Sequence, residues 1–223
     1  MEKRGTGFFV VFEGIDGSGT TTQSRRLRDH LRRLGGEAVV TAEPSPGPTG
    51  SLIRLMLGKR VVSASGGEEA KSMESTALAL LFAADRIDHL QHVVVPRLED
   101  GVDVISDRYV LSSLAYQMEK DRSNFQWLRE VNRRARRPDM TLFLRVPVSV
   151  CETRRNLDRR HRDLFEEPEI LKRVSSHYEF SMEALRSEGE RLEIIDGTGS
   201  VDDVFDEILT RLTPLFVEHG RSL

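Results

Sequence analysis

Phe8-Phe9-Val10-Val11-Phe12-Glu13-Gly14-Ile15-Asp16-Gly17-Ser18-Gly19-Thr20-Thr21 runs from an apolar segment into a glycine-rich turn and on into a helical pattern. Residues 8–12 are aromatic and β-branched without a polar break. Such a run reads as a strand buried on both faces, as in a parallel sheet. Gly14, Gly17 and Gly19 then let the backbone turn tightly and present successive N–H groups to an anion. The helix that follows, marked by Leu27 and Leu31, adds its positive N-terminal end. Gly35-Gly36 closes it.

Outward from this start, the same alternation repeats. Strand candidates lie at 37–41, 102–106, 140–144 and 192–195. Helical patterns lie at 52–57, 72–98, 110–118, 125–135, from 148 to 156, 168–186 and 201–217. The stretch 42–50 holds three prolines and two glycines and is expected to be a loop, and 63–67 to be flexible. Strands alternating with helices along the whole chain predict a parallel sheet covered on both faces. No internal repeat or domain boundary is visible, so residues 1–223 are expected to form one domain.

Bulk composition narrows the function classes. The chain is 38% hydrophobic and 31% charged, within the range of a soluble globular protein. A net charge of -3 gives no bulk attraction to nucleic acid. One cysteine, Cys151, excludes an intramolecular disulfide and reads as a small buried residue. No segment has the ~18 apolar residues needed to span a bilayer. Residues 1–7 lack the apolar core of a signal peptide, and a cytoplasmic location is expected.

The turn fits the phosphate-binding motif G-x-x-x-x-G-K-[ST] except at one position. Gly14 and Gly19 hold the frame, and Thr21 stands where a hydroxyl ligates magnesium. Thr20 stands where the lysine belongs, and a threonine carries no charge and cannot reach between β- and γ-phosphates. The spacing alone is also compatible with a plain glycine turn. The buried strand before it and the helix after it favour phosphate binding.

Further segments resemble one family. Residues 12–19, Phe-Glu-Gly-Ile-Asp-Gly-Ser-Gly, look like the opening of thymidylate kinases. Leu81-Phe82-Ala83-Ala84-Asp85-Arg86 with His89 is similar to that family's thymidine-binding helix. Ser106-Asp107-Arg108-Tyr109, followed by Ser112-Ser113-Leu114-Ala115-Tyr116-Gln117, resembles its central Asp-Arg-Tyr segment. Glu43-Pro44, Arg54 and Pro138-Asp139 also fit, so the resemblance covers nearly the whole chain. It implies a three-layer α/β/α P-loop kinase fold with five parallel strands, and transfer of the ATP γ-phosphoryl group to dTMP with magnesium as cofactor. It also implies a homodimer.

Carried over by position, the resemblance implies a role for each site residue. Gly14, Ile15, Asp16, Gly17, Ser18, Gly19, Thr20 and Thr21 would hold ATP. Phe82 would stack on thymine, Arg86 would hydrogen-bond a base carbonyl, and Gln117 would lie near the base. Arg54 and Arg108 would hold the acceptor 5′-phosphate, with Ser112 beside them. Asp16 would bind the 3′-hydroxyl and Tyr116 would crowd the 2′ position. Thr21 would ligate the metal, with Glu13 and Asp107 acting on it through water. Outside this context a helical phenylalanine is more often core, and Asp107-Arg108 an ordinary surface pair. His89 and His92 lack acidic or cysteine partners at metal spacing, so zinc is not expected.

A lid is expected over 154–167, rich in arginine at Arg154, Arg155, Arg159, Arg160 and Arg162. Arg159 matches the family's lid best, and a lid arginine is expected to replace the missing lysine in part. A solvated helix face is the plain alternative. Other departures from the family are Ala42 in place of arginine, Ser45-Pro46 in place of two glycines, and Arg145 in place of aspartate. They fall mostly on the donor side. Two alternatives stay open: a kinase for another deoxynucleoside monophosphate, and a nucleotide-binding relative of low activity.

Overall fold

The computed structural model describes residues 6–58, 75–157 and 168–223. The expected flexible segment at 63–67 and the lid from 158 to 167, including Arg159, Arg160 and Arg162, lie outside the described residues. Five parallel strands form one sheet: β1 (Phe9–Glu13), β2 (Ala38–Ala42), β3 (Asp103–Asp107), β4 (Met140–Arg145) and β5 (Leu192–Asp196). Their spatial order is β2-β3-β1-β4-β5. The central strand β1 pairs Val10 with Ile105 on one side and with Met140 on the other.

Helices cover both faces, because β1 is buried at every position, with apolar residues from Phe9 to Phe12 that need cover on each face. Phe8, Val10 and Phe12 pack with Leu27 and Leu31 of α1 (Thr20–Arg33) and with Ile208, Leu212 and Phe216 of α9 (Val201–Glu218). Phe9 and Val11 face the other way. They pack on Leu90, Val94 and Leu98, where α3 (Ser75–His89) runs through a π-turn at Leu90–Val94 into α4 (Val95–Glu99). Beside them, Phe143 of β4 packs with α5 (Val110–Tyr116), α6 (Phe125–Val131), α7 (Val148–Leu157) and α8 (Pro168–Ser187). The α/β/α layering is the expected one. A capping box at Ser200 and Asp203 fixes the start of α9.

Several boundaries differ from the sequence expectation. Helix α2 spans Pro48–Leu57, so the loop ends before Gly50; Pro48 sits at the first helical turn, where its ring and missing N–H are harmless. Helix α6 stops at Val131, and turns occupy 132–135. Among the described residues no helix is long and apolar enough to cross a membrane.

Candidate active site

The site gathers at the carboxyl ends of β1 and β3, where parallel α/β sheets bind ligands. After β1 the chain turns through Gly17 and Gly19, both left-handed at φ 91° and 101°, a region that favours glycine. The turn curls onto itself: Ser18 N–H donates to Ile15 O at 3.0 Å, and a Cβ on Gly14 would lie 2.4 Å from Ser18 Oγ. Gly19 then caps α1 without a side-chain acceptor, and the first turn carries no acidic residue. The free N–H groups and the helix dipole therefore face the loop uncompensated, which suits a phosphate. Thr20 opens α1 and is only 7% exposed.

The next residue meets the end of β3. Thr21 Oγ1 donates to Asp107 Oδ2, while Asp107 Oδ1 is buried with no partner among the described residues. A hydroxyl and a carboxylate with an unused buried oxygen are hard oxygen donors. They fit a magnesium ion that takes its remaining ligands from water and phosphate.

Asp107 hands over to Arg108, which sits in the left-handed region at φ 73°. That turn aims its side chain back across β1. Nη2 donates to Asp16 Oδ1 at 2.8 Å, and Nη1 to Ser112 Oγ at 3.1 Å. Tyr116 O–H donates to the other oxygen of Asp16 at 3.0 Å, and the guanidinium lies 5.2 Å over the Tyr116 ring. Burial works against the charge of Arg108, but Tyr116, Asp16, Tyr178 and Asp107 outweigh it and hold its pKa well above the usual value.

Glu13 does not approach the metal pair. It is fully buried, and both its oxygens are taken. Oε1 accepts from Tyr109 N at 2.8 Å and Ser112 N at 3.1 Å; Oε2 accepts from Ser112 Oγ at 2.6 Å and Tyr178 O–H at 3.1 Å. Burial raises its pKa even so. Its carboxylate clamps the turn that carries Arg108, and Ser112 serves the same clamp.

Arg86 is likewise drawn inward. It is 1% exposed; its Nε donates to Glu43 at 2.9 Å, Nη1 to Asn132, and Nη2 to Tyr109 O at 3.1 Å and Ser113 Oγ at 3.0 Å. Most of its N–H groups are spent on protein acceptors, so it ties α3 to Glu43, Asn132, Tyr109 and Ser113. His89 joins this network through Nδ1, 3.5 Å from Glu43 Oε1, while its Nε2 lies 2.6 Å from Thr41 Oγ1. His92 bonds Asp88, and among the described residues no group of metal-ligating side chains suits zinc.

The remaining expected residues differ in burial. Phe82 is half-buried on α3 and belongs to none of the core clusters of buried residues. Arg54 is exposed on α2, its Nη1 held by Pro44 O at 2.7 Å. Gln117 ends α5, buried, with Oε1 lacking a partner among the described residues. Cys151 is buried, as expected, and burial pushes its thiol pKa up to about 11. Sequence reading missed Tyr178, which touches Glu13, Ser112 and Arg108 at once.

Comparison with known proteins agrees with this geometry. The family model described as thymidylate kinase matches residues 12–208. A protein of Pyrococcus abyssi named probable thymidylate kinase is 37% identical over 205 residues, covering 91% of this chain and 94% of its own length. One of the same name from Thermococcus onnurineus is 36% identical over 214 residues, covering 95% and 97%. The glycine loop, the Thr21–Asp107 pair and the Asp16, Arg108 and Tyr116 cluster thus lie within a chain that belongs to the thymidylate kinase family, ATP-dependent nucleoside monophosphate kinases that convert dTMP to dTDP.

Proposed function

We propose that this chain is a working dTMP kinase whose acceptor is selected by Asp16, Arg108 and Tyr116. The observation that carries the reading is their mutual hydrogen bonding beside the Thr21–Asp107 pair. The 5′-phosphate of dTMP binds Arg108 and Arg54. The 3′-hydroxyl donates to Asp16, and the Tyr116 ring leaves no room for a 2′-hydroxyl. Thymine stacks on Phe82 and offers its imide N–H to the vacant Gln117 Oε1, while an Arg86 N–H meets a base carbonyl.

The donor phosphates lie on the N–H groups of 14–19. Thr21 and Asp107 would hold magnesium, which would supply compensation for part of the phosphate charge. An oxygen of the dTMP phosphate attacks Pγ, the bond from Pγ to the β,γ-bridging oxygen breaks, and ADP leaves with that electron pair. The second pKa of a phosphate monoester is about 6, so the attacking oxygen is already ionised and no general base is needed. What the residues supply is alignment and charge compensation.

The protein is a cytoplasmic homodimer in this reading. Leu52 and Leu55 of α2, Leu80 and Ile87 of α3, and Trp127 of α6 are exposed on helices that pack against one another. Exposed apolar side chains on helices that pack together suit a contact surface.

Thr20 favours one second reading, a nucleotide binder with little turnover. ADP release from ATP, measured with dTMP, dUMP, dCMP and dGMP in turn, separates the possibilities. Release confined mainly to dTMP supports the proposal. Equal release with another deoxynucleotide, or tight dTMP binding without release, contradicts it.

A further inference from the structure

Resting on the donor placement above, one more residue is implicated in phosphate recognition. Thr20 leaves the loop without the cation that its motif places against the donor phosphates. Helix α7 docks on that loop at Gly17: a Cβ there would lie 2.6 Å from Cys151 O and 3.1 Å from Arg155 Cγ. The Arg155 side chain therefore runs across the glycine turn. Its Nε is buried and has no hydrogen-bond partner among the described residues. A buried N–H without an acceptor is costly, and a phosphate oxygen is an acceptor of the right charge.

Among the described residues, two other arginines near the loop have partners within the protein. Arg154 Nη2 donates to Gly197 O at 2.9 Å, and its Nη1 faces Ser18 O at 3.5 Å. Arg108 belongs to Asp16 and Ser112. We propose that Arg155 supplies the charge that Thr20 does not, its guanidinium binding the β- and γ-phosphate oxygens of the donor. Arginine suits the role, since its planar fork meets two phosphate oxygens at once.

The test is calorimetric binding of ATP and of AMP to the wild type and to three variants: Arg155→Ala, Arg155→Lys, and Arg155→Ala combined with Thr20→Lys. Arg155→Ala is expected to weaken ATP about 10- to 100-fold, the range of charge-assisted hydrogen bonds, and to leave AMP within about twofold. Arg155→Lys should recover part of the loss. Thr20→Lys in the Arg155→Ala background should restore ATP affinity about tenfold. Unchanged ATP affinity in Arg155→Ala, equal losses for ATP and AMP, or absence of rescue by both lysine variants would overturn the inference. Turnover is read separately. Should the wild type form no dTDP while its preference for ATP over AMP still depends on Arg155, the functional reading fails and this inference stands.

Discussion

Asp16 carries two tasks with one carboxylate: one oxygen holds Arg108 and the other accepts from Tyr116. Asp16→Asn keeps the size and removes the charge. Its amide N–H group then opposes a guanidinium or a phenol that also donates. Catalytic efficiency with dTMP is expected to fall about 10- to 100-fold, measured as kcat/KM, with the KM for ATP much less affected. Tyr178 works one step further back. Its hydroxyl lies 3.1 Å from Glu13 Oε2, 2.9 Å from Ser112 Oγ and 3.3 Å from Arg108 Nη1. Tyr178→Phe preserves the ring packing against Phe143 but strips a donor from a buried carboxylate. Denaturant melts should show a loss of about 1–3 kcal/mol. Kinetics should show a larger defect for dTMP than for ATP, because the clamp that loosens is the one holding Arg108.

At the scale of elements, α8 holds α5, the helix that carries Ser112 and Tyr116. His177 is one of the fastenings: buried, with Nδ1 3.0 Å from Ala115 O. Burial lowers its pKa below the usual 6.5; the Ala115 carbonyl opposes that shift, and Arg173 and Arg122 add to it. As pH falls below about 6.5 the unfolded chain takes the proton first, so the native state loses stability through that window and keeps it at higher pH. Thermal melts between about pH 5 and pH 7 should show a shallower slope for His177→Gln than for the wild type.

The strands were legible in sequence, yet each runs further toward its carboxyl end than its apolar run, to Glu13, Ala42, Asp107, Arg145 and Asp196. Apolar patterning marks what is buried under helices. It goes silent at the strand ends, where backbone pairing continues while Glu13, Asp107, Arg145 and Asp196 turn polar. Phe82, Asp16, Arg108 and Tyr116 were readable because a resemblance named them. Tyr178 was not, since it falls in the stripe Leu171, Val174, Tyr178, Met182 and Leu185 and looks like core. The partners of Arg86 and Glu13 come from distant stretches of chain, so their inward pairing had no local signal.

Across the whole molecule, the proposed site has an acceptor half and a donor half, and the donor loop carries Thr20 where its motif has a lysine. The two halves meet at Asp107, which bonds Thr21 on the donor side and adjoins Arg108 on the acceptor side. The exposed face of α2, α3 and α6 lies apart from the glycine loop in sequence and carries the proposed subunit contact. Leu80→Glu places a charge in that face, and light scattering should report a monomer where the wild type is a dimer. A dimer that persists would remove this face from the interface. The account as a whole turns on whether phosphorus moves. Phosphorus NMR of the protein with ATP, dTMP and magnesium follows the γ-phosphoryl group directly. Growth of dTDP and ADP signals in equal amounts is the predicted result; ATP and dTMP that remain unchanged in the presence of the folded, ligand-bound protein would contradict it.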